Sequence, residues 1–111
     1  MLIETTIRNY LIEKIPNVPI EVEVPENESE FVVFRIIDRG KIDLIEAVTV
    51  EFFSYGESKL EAAELDEQVR TAMEEIVELP SIFSSRIGGG SDDYDEDLKK
   101  NRYRAYFNLT Y

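Results

Sequence analysis

The sequence of 111 residues contains no cysteine and no histidine. Without cysteine there is no disulfide, no thiolate nucleophile and no cysteine-ligated metal, which is compatible with a reducing compartment. Without histidine there is no imidazole base, no Ser-His-Asp relay and no histidine-ligated metal. We therefore predict neither a cofactor nor a metal site. A site of paired carboxylates is the one catalytic alternative that composition leaves open.

Basic residues are also scarce, because 12 Lys and Arg stand against 24 Asp and Glu, for a formal net charge of −12. This excess of negative charge disfavours binding to nucleic-acid phosphates and to anionic membranes. The sequence has no apolar run long enough to span a bilayer and no secretory pattern at its start. We therefore expect a soluble, non-secreted protein whose surface repels DNA.

Apolar residues are not lacking. They make up 43% of the chain, with six Tyr and six Phe, which is typical of a globular protein and argues against general disorder. A chain of 111 residues has the size of one domain. We predict a single domain over residues 1–111, with a flexible loop at about residues 88–101.

The central feature of the sequence is an apolar strand that leads directly into an amphipathic helix, within residues 42–79. In the strand, Val48, Val50 and Phe52 share one face by the two-residue period of a sheet. The opposite face carries Ala47, Thr49, Glu51 and Phe53. We expect the first face to contribute to the core and the second to meet a neighbouring subunit.

The helix that follows has clear start and stop signals. Ser58 with Glu61 three residues later forms a capping box, and Pro80 prevents continuation. Apolar side chains recur at helical spacing and predict a buried stripe. Its members are Leu65, Val69, Ala72, Met73, Ile76 and Leu79.

The residues before this unit predict one helix and two strands. Aliphatic residues four apart indicate a helix over residues 1–15, ended by Pro16. Alternation between two prolines indicates a short edge strand over 20–24. Residues 31–37 read as a buried strand, and residues 38–41 (DRGK) as a four-residue hairpin turn into the next strand.

After the helix, residues 81–87 predict a short strand, and Gly88-Gly89-Gly90 opens the loop. The last segment alternates, with Ala105 and Phe107 on one side and Arg104 and Tyr106 on the other. The order α-β-β-β-α-β-β predicts an α+β fold, a mainly antiparallel, mixed sheet with two helices packed on it.

Two motifs in the loop resemble ligand-binding motifs, but neither has all the residues that its ligand requires. Three glycines can cradle a phosphate, but the five acids that follow would repel one. Asp93, Asp95 and Asp97 resemble the opening of an EF-hand, yet its sixth position is Leu98 instead of Gly and its twelfth is Arg104 instead of Glu. We therefore expect a solvated acidic surface in preference to a designed calcium site.

The loop separates its charges into an acidic block and a basic block after a glycine hinge. Such blocks can pair with those of another copy, and a head-to-tail contact of this kind generates a ring or a filament. A mobile solvated loop is the alternative. The predicted interface combines the loop with the second face of the strand: Gly88, Gly89, Gly90, Asp92, Asp93, Asp95, Glu96, Asp97, Lys99, Lys100, Arg102, Arg104, Thr49, Glu51 and Phe53.

The chain resembles the tail terminator (tail completion) proteins of long-tailed bacteriophages. The resemblance covers most of the chain. It includes an N-terminal helix and the segment VPENESEFVVFRI. It continues through AVTVEFFSYGESKLEAAELDEQVRTAMEEI and ends with the basic-aromatic strand NRYRAYFNLTY. None of these segments is a catalytic motif, so the resemblance implies structural work in the virion and no enzymatic activity.

The resemblance implies a ring, typically a hexamer, that caps the tail tube, ends its polymerisation and provides the surface for joining the head. Its partners would be other copies, the major tail tube protein and the head completion or connector protein. It would be located in the tail or neck of the virion, after assembly in the cytoplasm of the bacterial host. DNA would pass through the lumen without sequence-specific binding, and a negative surface would let it slide.

Two alternatives remain. Related neck proteins share size, acidity and α+β content, so another head-tail connector position is possible on these criteria. A charge of −12 on a small chain is also expected for an acidic inhibitor that mimics DNA and occupies a basic enzyme. The four basic residues at the end of the loop count against mimicry.

Overall fold

A computed structural model describes residues 2–111. Two helices pack on a five-stranded sheet, as the sequence predicts. The elements are α1 (Ile3–Lys14), β1 (Ile20–Glu21), β2 (Phe31–Ile42), β3 (Ile45–Gly56), α2 (Lys59–Glu74), β4 (Ser84–Asp92) and β5 (Asn101–Thr110). A short 3-10 turn, Ile76–Glu78, follows α2.

The sheet order is β1-β2-β3-β5-β4. The short edge strand β1 runs parallel to β2, whereas all the other neighbours are antiparallel. The sheet is therefore mixed but mainly antiparallel, and β3 is its central strand. The predicted edge strand over 20–24 is shorter than expected, because Val22 and Val24 lie beyond the pairing and are about half exposed.

The core lies between one face of the sheet and the helices. Val48, Val50 and Phe52 point into it from β3, and Ala105, Phe107 and Leu109 do so from β5. The predicted apolar stripe is buried from Leu65 to Ile76, with Leu79 partly buried at its edge. Its last two members lie beyond α2, because the helix ends at Glu74 and Ile76 belongs to the 3-10 turn. Both alternation patterns are thus confirmed, since the hydrophobic effect fixes which side of each strand faces the helices.

The start of α2 has the predicted cap residue, Ser58, and one of the two bonds of the predicted capping box. The Ser58 hydroxyl accepts a hydrogen bond from the Glu61 N–H at 3.1 Å. The Glu61 carboxylate accepts one from the N–H of Glu57, at 3.1 Å, one residue before the cap. The first bond occupies an N–H group that the start of a helix leaves without an internal partner. The second bond differs from a standard capping box, in which the carboxylate would accept from the N–H of the cap residue itself.

The prediction of a four-residue turn over 38–41 is wrong. Strands β2 and β3 remain paired as far as Ile42 with Ile45, with one bulge at Ile37. The chain reverses instead at Asp43 and Leu44, whose φ angles are +49° and +71°. Two consecutive residues with positive φ match the twist of a two-residue hairpin. Residues 38–41 have the composition of a turn but pair with β3 as part of a strand.

The prediction of a flexible loop at 88–101 is also wrong in its first part. Gly88, Gly89 and Gly90 belong to β4, which pairs with β5 through Asp92 and Tyr103. Only residues 93–100 connect the two strands, and a bridge between Asp95 and Lys100 closes this connection into a tight turn. The glycines therefore do not form a hinge.

Candidate functional site: the open face of the sheet

The helices cover one face of the sheet and leave the other uncovered. The register places Glu51 beside Tyr106, Phe53 beside Arg104 and Thr49 beside Asn108. We call the following residues the open face: Arg35, Asp38, Thr49, Glu51, Phe53, Arg86, Arg102, Arg104, Tyr106 and Asn108. The second face of β3 and half of the predicted basic block, Arg102 and Arg104, are thus brought together, whereas Lys99 and Lys100 lie in the turn outside the open face.

Glu51 lies at the middle of the open face and is nearly buried, with 7% of its side chain exposed. Its Oε1 accepts a hydrogen bond from Arg35 Nε at 2.8 Å, and its Oε2 lies 3.6 Å from Arg104 Nη1. A buried carboxylate is costly unless it is paired and hydrogen-bonded. The two guanidinium groups supply that pairing, so Glu51 holds Arg35 and Arg104 on the surface above it.

Aromatic rings lie directly under the arginines. The guanidinium carbon of Arg102 lies 4.6 Å from the centre of the Phe53 ring, and that of Arg35 lies 5.8 Å from the same ring. Arg104 lies 5.8 Å from the centre of the Tyr106 ring. These are cation–π distances. Arginine and aromatic residues are the types enriched in the centres of protein interfaces.

The glycines of β4 make room for Tyr106. A Cβ atom on Gly88 would lie 2.7 Å from the Tyr106 ring, and one on Gly89 would lie 3.1 Å from its hydroxyl oxygen. A Cβ atom on Gly90 would collide with the carbonyl oxygen of Arg104. Gly89 and Gly90 also have φ angles of +140° and +154°, which favour glycine. The glycines therefore shape the open face by letting the Tyr106 ring lie across β4.

The acidic block is largely paired within the chain. Asp92 lies 3.1 Å from the Lys59 Nζ, and Asp93 lies 3.0 Å from Arg102 Nη2. The Lys100 Nζ donates to the carbonyl oxygen of Glu28 at 2.9 Å. These contacts use charges that the sequence assigned to pairing between copies. Pairing between copies stays a prediction for the exposed residues of the turn, Glu96, Asp97 and Lys99.

Asp95 anchors the turn and is 7% exposed. Its Oδ1 accepts hydrogen bonds from the N–H groups of Asp97 and Leu98, each at 3.0 Å. Its Oδ2 accepts from the Tyr55 hydroxyl at 2.8 Å and from Arg102 Nη1 at 3.2 Å. Both carboxylate oxygens of the residue at the centre of the EF-hand-like pattern are thus bound by protein donors. Within residues 2–111, no group of three or more acidic, His or Cys side chains could hold a metal ion.

The surroundings of Asp95 lower its pKa below the ordinary value of 3.8. Burial acts in the opposite direction, since it disfavours the charged form. The N–H of Leu98, the Tyr55 hydroxyl, Arg102 and the N–H of Asp97 together outweigh it. For Tyr55, whose hydroxyl donates to Asp95, burial is the dominant effect and raises the pKa. The cluster therefore holds the charged carboxylate and fixes the guanidinium of Arg102 within the open face.

The predicted interface lacked several residues of the open face, among them Arg86, Asn108 and the two neighbours of Glu51, Arg35 and Tyr106. The signal for both was in the sequence. Arg35 is the one charged residue among 31–37 and alternates with the buried Phe34, and Tyr106 alternates with Phe107. What alternation could not supply was the register that places both beside Glu51.

The opposite side of the molecule is acidic. The segment 57–78 carries eight carboxylates and two basic side chains. A shallow groove of about 540 Å³ follows α2 beside the end of α1. We call it the acidic groove; it is lined by Lys14, Glu64, Glu67, Gln68, Thr71, Ala72 and Glu75. The net charge of the chain is therefore unevenly divided between its two sides.

Neither helix of the described part of the chain is both long and apolar enough to cross a membrane. Comparison of the sequence with models of known protein families gives no match, and comparison with curated protein sequences gives none either.

Proposed function

We propose that this chain is a structural virion protein of the tail terminator type. It assembles as a ring on the end of the phage tail tube, and the resemblance to tail terminator proteins implies a hexamer. The ring stops tube polymerisation and provides the surface that joins the head. DNA passes through the ring. Its partners are other copies of itself, the major tail tube protein and the head completion or connector protein.

The observation that carries this proposal is the open face itself. A sheet face that carries Phe53, Tyr106 and four arginines has the aromatic and arginine content of an interface centre. Three of its arginines, Arg35, Arg102 and Arg104, are held in place by Glu51 and Asp95, so these side chains lose little conformational entropy on binding. A pre-organised face of this kind suits a repeated contact in an assembly.

The experiment is native mass spectrometry with negative-stain imaging, with and without tail tubes made from the major tail protein of the same genome. We expect closed rings, or single rings at tube ends. Phe53→Ser should weaken assembly, whereas Phe83→Ser should not, because Phe83 is an exposed aromatic residue outside the open face. A folded chain that stays monomeric and ignores tube ends would refute the proposal.

The same experiment separates the alternatives. Another connector position in the neck predicts rings that bind the head's connector and leave tube ends bare. A DNA-mimicking inhibitor predicts a monomer that binds a basic enzyme in competition with DNA. The acids of α2 favour mimicry, but mimicry has no use for the arginine-rich open face on the other side of the sheet.

A further inference from the structure

We infer that the hairpin between β2 and β3 inserts Leu44 into an apolar pocket of a different protein. We call residues 42–45 the hairpin tip. This surface is separate from the open face, and its partner has a stated chemistry: an apolar pocket with a basic side chain at its rim. The inference rests on the proposed function only in naming the tail tube subunit as that partner.

The hairpin tip exposes several apolar side chains. Ile42, Leu44 and Ile45 are 59%, 92% and 38% exposed. A single exposed leucine needs no explanation, whereas three aliphatic residues within four positions form a cluster. Clusters of exposed apolar side chains mark sites of contact with a partner.

The backbone of the hairpin tip is also unsuited to a leucine. Asp43 and Leu44 occupy the two turn positions with positive φ angles, +49° and +71°. Asp tolerates this region and glycine adopts it freely, whereas leucine is strained there because its Cβ atom approaches the backbone. The exposed Leu44 gains no packing within the chain to offset the strain. A partner that buries this side chain would offset both the strain and the exposure.

The hairpin tip projects beyond the rest of the sheet. The last pair between β3 and β5 is Ala47 with Thr110, and β1 pairs only with residues 32–33, near the other end of β2. Behind the tip, Gly40 is paired with Ala47, and a groove of about 520 Å³ on the open face borders Ile42. The tip is therefore wider than the two small residues behind it, a shape that fits into a pocket.

Three contacts hold the hairpin in place. Arg39 Nη2 donates to Glu4 Oε2 of α1 at 2.7 Å, and the N–H of Tyr111 donates to the carbonyl oxygen of Glu46 at 2.9 Å. The Lys41 Nζ lies 3.6 Å from Glu46 Oε1. The tip is thus positioned before it binds, which reduces the entropy lost on association.

The charges of the hairpin indicate the rim of the pocket. Asp43 is exposed, and the basic residue nearest to it in the sequence, Lys41, is already paired with Glu46. A basic side chain beside the pocket would therefore complement Asp43.

The grooves of this chain do not match that description. The acidic groove and the groove beside the tip are lined mainly by charged and polar side chains. A smaller concavity at Leu79 and Pro80 also contains Glu13, which would repel Asp43. These surfaces favour a different protein over a second copy as the partner.

A lipid bilayer is a poorer partner than a protein pocket. Insertion of Leu44 would carry the neighbouring Asp43 toward the hydrocarbon, where a carboxylate is unfavourable. It would also bring a chain of net charge −12 to the surface, which anionic lipids repel.

The strain at Leu44 allows folding and binding to be separated. Leu44→Gly removes the apolar side chain and relaxes the turn, so the midpoint of thermal unfolding should rise by a few degrees. Asn27→Gly is the matched backbone control, because Asn27 has a φ angle of +61° in an exposed turn before β2. Leu60→Ser is the matched side-chain control, because Leu60 is 69% exposed on α2.

Binding is measured by co-sedimentation with tail tubes made from the major tail protein of the same genome. We expect Leu44→Gly to weaken binding by about tenfold or more, as for a buried anchor residue. Leu44→Met and both controls should bind as the unmodified chain does. A photo-crosslinking residue at Ile45 should react with apolar residues of the tube subunit.

The remaining outcomes would overturn the inference in distinguishable ways. Unchanged binding by Leu44→Gly would refute the anchor and leave the proposed function standing, and so would crosslinking of position 45 to a second copy. Flotation with phosphatidylglycerol vesicles that Leu44→Gly abolishes would assign the tip to membranes. A lower unfolding midpoint for Leu44→Gly would show that the leucine serves folding. Failure of the unmodified chain to bind tubes would refute both the inference and the proposed function.

Discussion

At the scale of single residues, the open face depends on two carboxylates that are already paired with arginines of the same chain. Glu51 and Asp95 are acids in a strongly acidic chain, and both are nearly buried under arginines. A buried charge keeps its guanidinium partner fixed, since separating the two would leave the charge unpaired. The two acids therefore act by positioning Arg35, Arg102 and Arg104.

Asp95→Ala tests this role. The substitution removes the acceptor of the Tyr55 hydroxyl, of Arg102 and of two backbone N–H groups in the turn. We expect the free energy of unfolding to fall by about 2 kcal/mol, because donors in a partly buried site lose their partner. Urea denaturation followed by fluorescence measures it. The exposed neighbour Glu96→Gln is the control and should change stability by less than about 0.5 kcal/mol.

The lowered pKa of Asp95 gives a pH prediction with a definite sign. A carboxyl whose pKa is lower in the folded state contributes stability that is fully present above its unfolded value. That contribution is lost as the pH falls from about 4 through the folded pKa. The destabilisation by Asp95→Ala should therefore shrink as the pH is lowered below about 4. A difference that stays constant from pH 7 to pH 2 would show that the charge of Asp95 contributes nothing.

At the scale of elements, the glycines of β4 and the glycine of β2 look alike in the sequence and differ in the structure. Gly90 has a φ angle of +154°, and a Cβ atom there would collide with β5. At Gly40, by contrast, a Cβ atom would meet nothing within 4 Å. The first glycine is required by its surroundings, and the second is not.

The matched pair Gly90→Ala and Gly40→Ala turns this difference into a measurement. Gly90→Ala should destabilise the protein by about 2 kcal/mol or more, because it combines a steric collision with an unfavourable φ angle. Gly40→Ala should be neutral, or stabilise by up to about 1 kcal/mol, by restricting the unfolded chain. Thermal unfolding compares the two. Equal effects would mean that β4 does not pair with β5 as described.

The elements that the sequence predicted correctly are those with a local cause. Alternation within β3 and β5 and the stripe of α2 follow from hydrophobic periodicity, and the capping of α2 lies within five consecutive residues, 57–61. The inclusion of the three glycines in β4 and the position of the hairpin turn between β2 and β3 were not predicted, because both depend on residues that are distant in the chain. The Tyr106 ring that Gly88 accommodates is 18 residues away in the chain. No local pattern reports a neighbour of that kind.

At the scale of the whole molecule, the candidate site also combines features that local sequence predicts with features that depend on distant residues. Alternation alone was enough to place Glu51 and Phe53 on one face, opposite to the core. Their position beside Arg102 and Arg104 depends on the register between β3 and β5. Asp95 likewise depends on a distant residue, because its partner Tyr55 is 40 residues away in the chain. Sequence reasoning therefore named most of the residues but misread the acidic block as free for another copy.

The uneven distribution of charge over the molecule leads to the last prediction, which concerns DNA. A net charge of −12 repels the duplex at long range, whereas the arginines of the open face could attract it locally. Affinity for DNA depends on how many phosphates are neutralised, and four arginines partly paired with Glu51, Asp93 and Asp95 neutralise few.

We therefore expect no saturable binding of a labelled duplex at 150 mM salt, measured by fluorescence anisotropy at protein concentrations up to about 100 μM. Lowering the salt to 50 mM should not produce binding, because the repulsion is then screened less. Glu64→Lys combined with Glu67→Lys serves as the comparison, since it adds positive charge outside the open face. Binding by the unmodified chain that Arg86→Glu abolishes would assign the open face to nucleic acid and not to a second subunit.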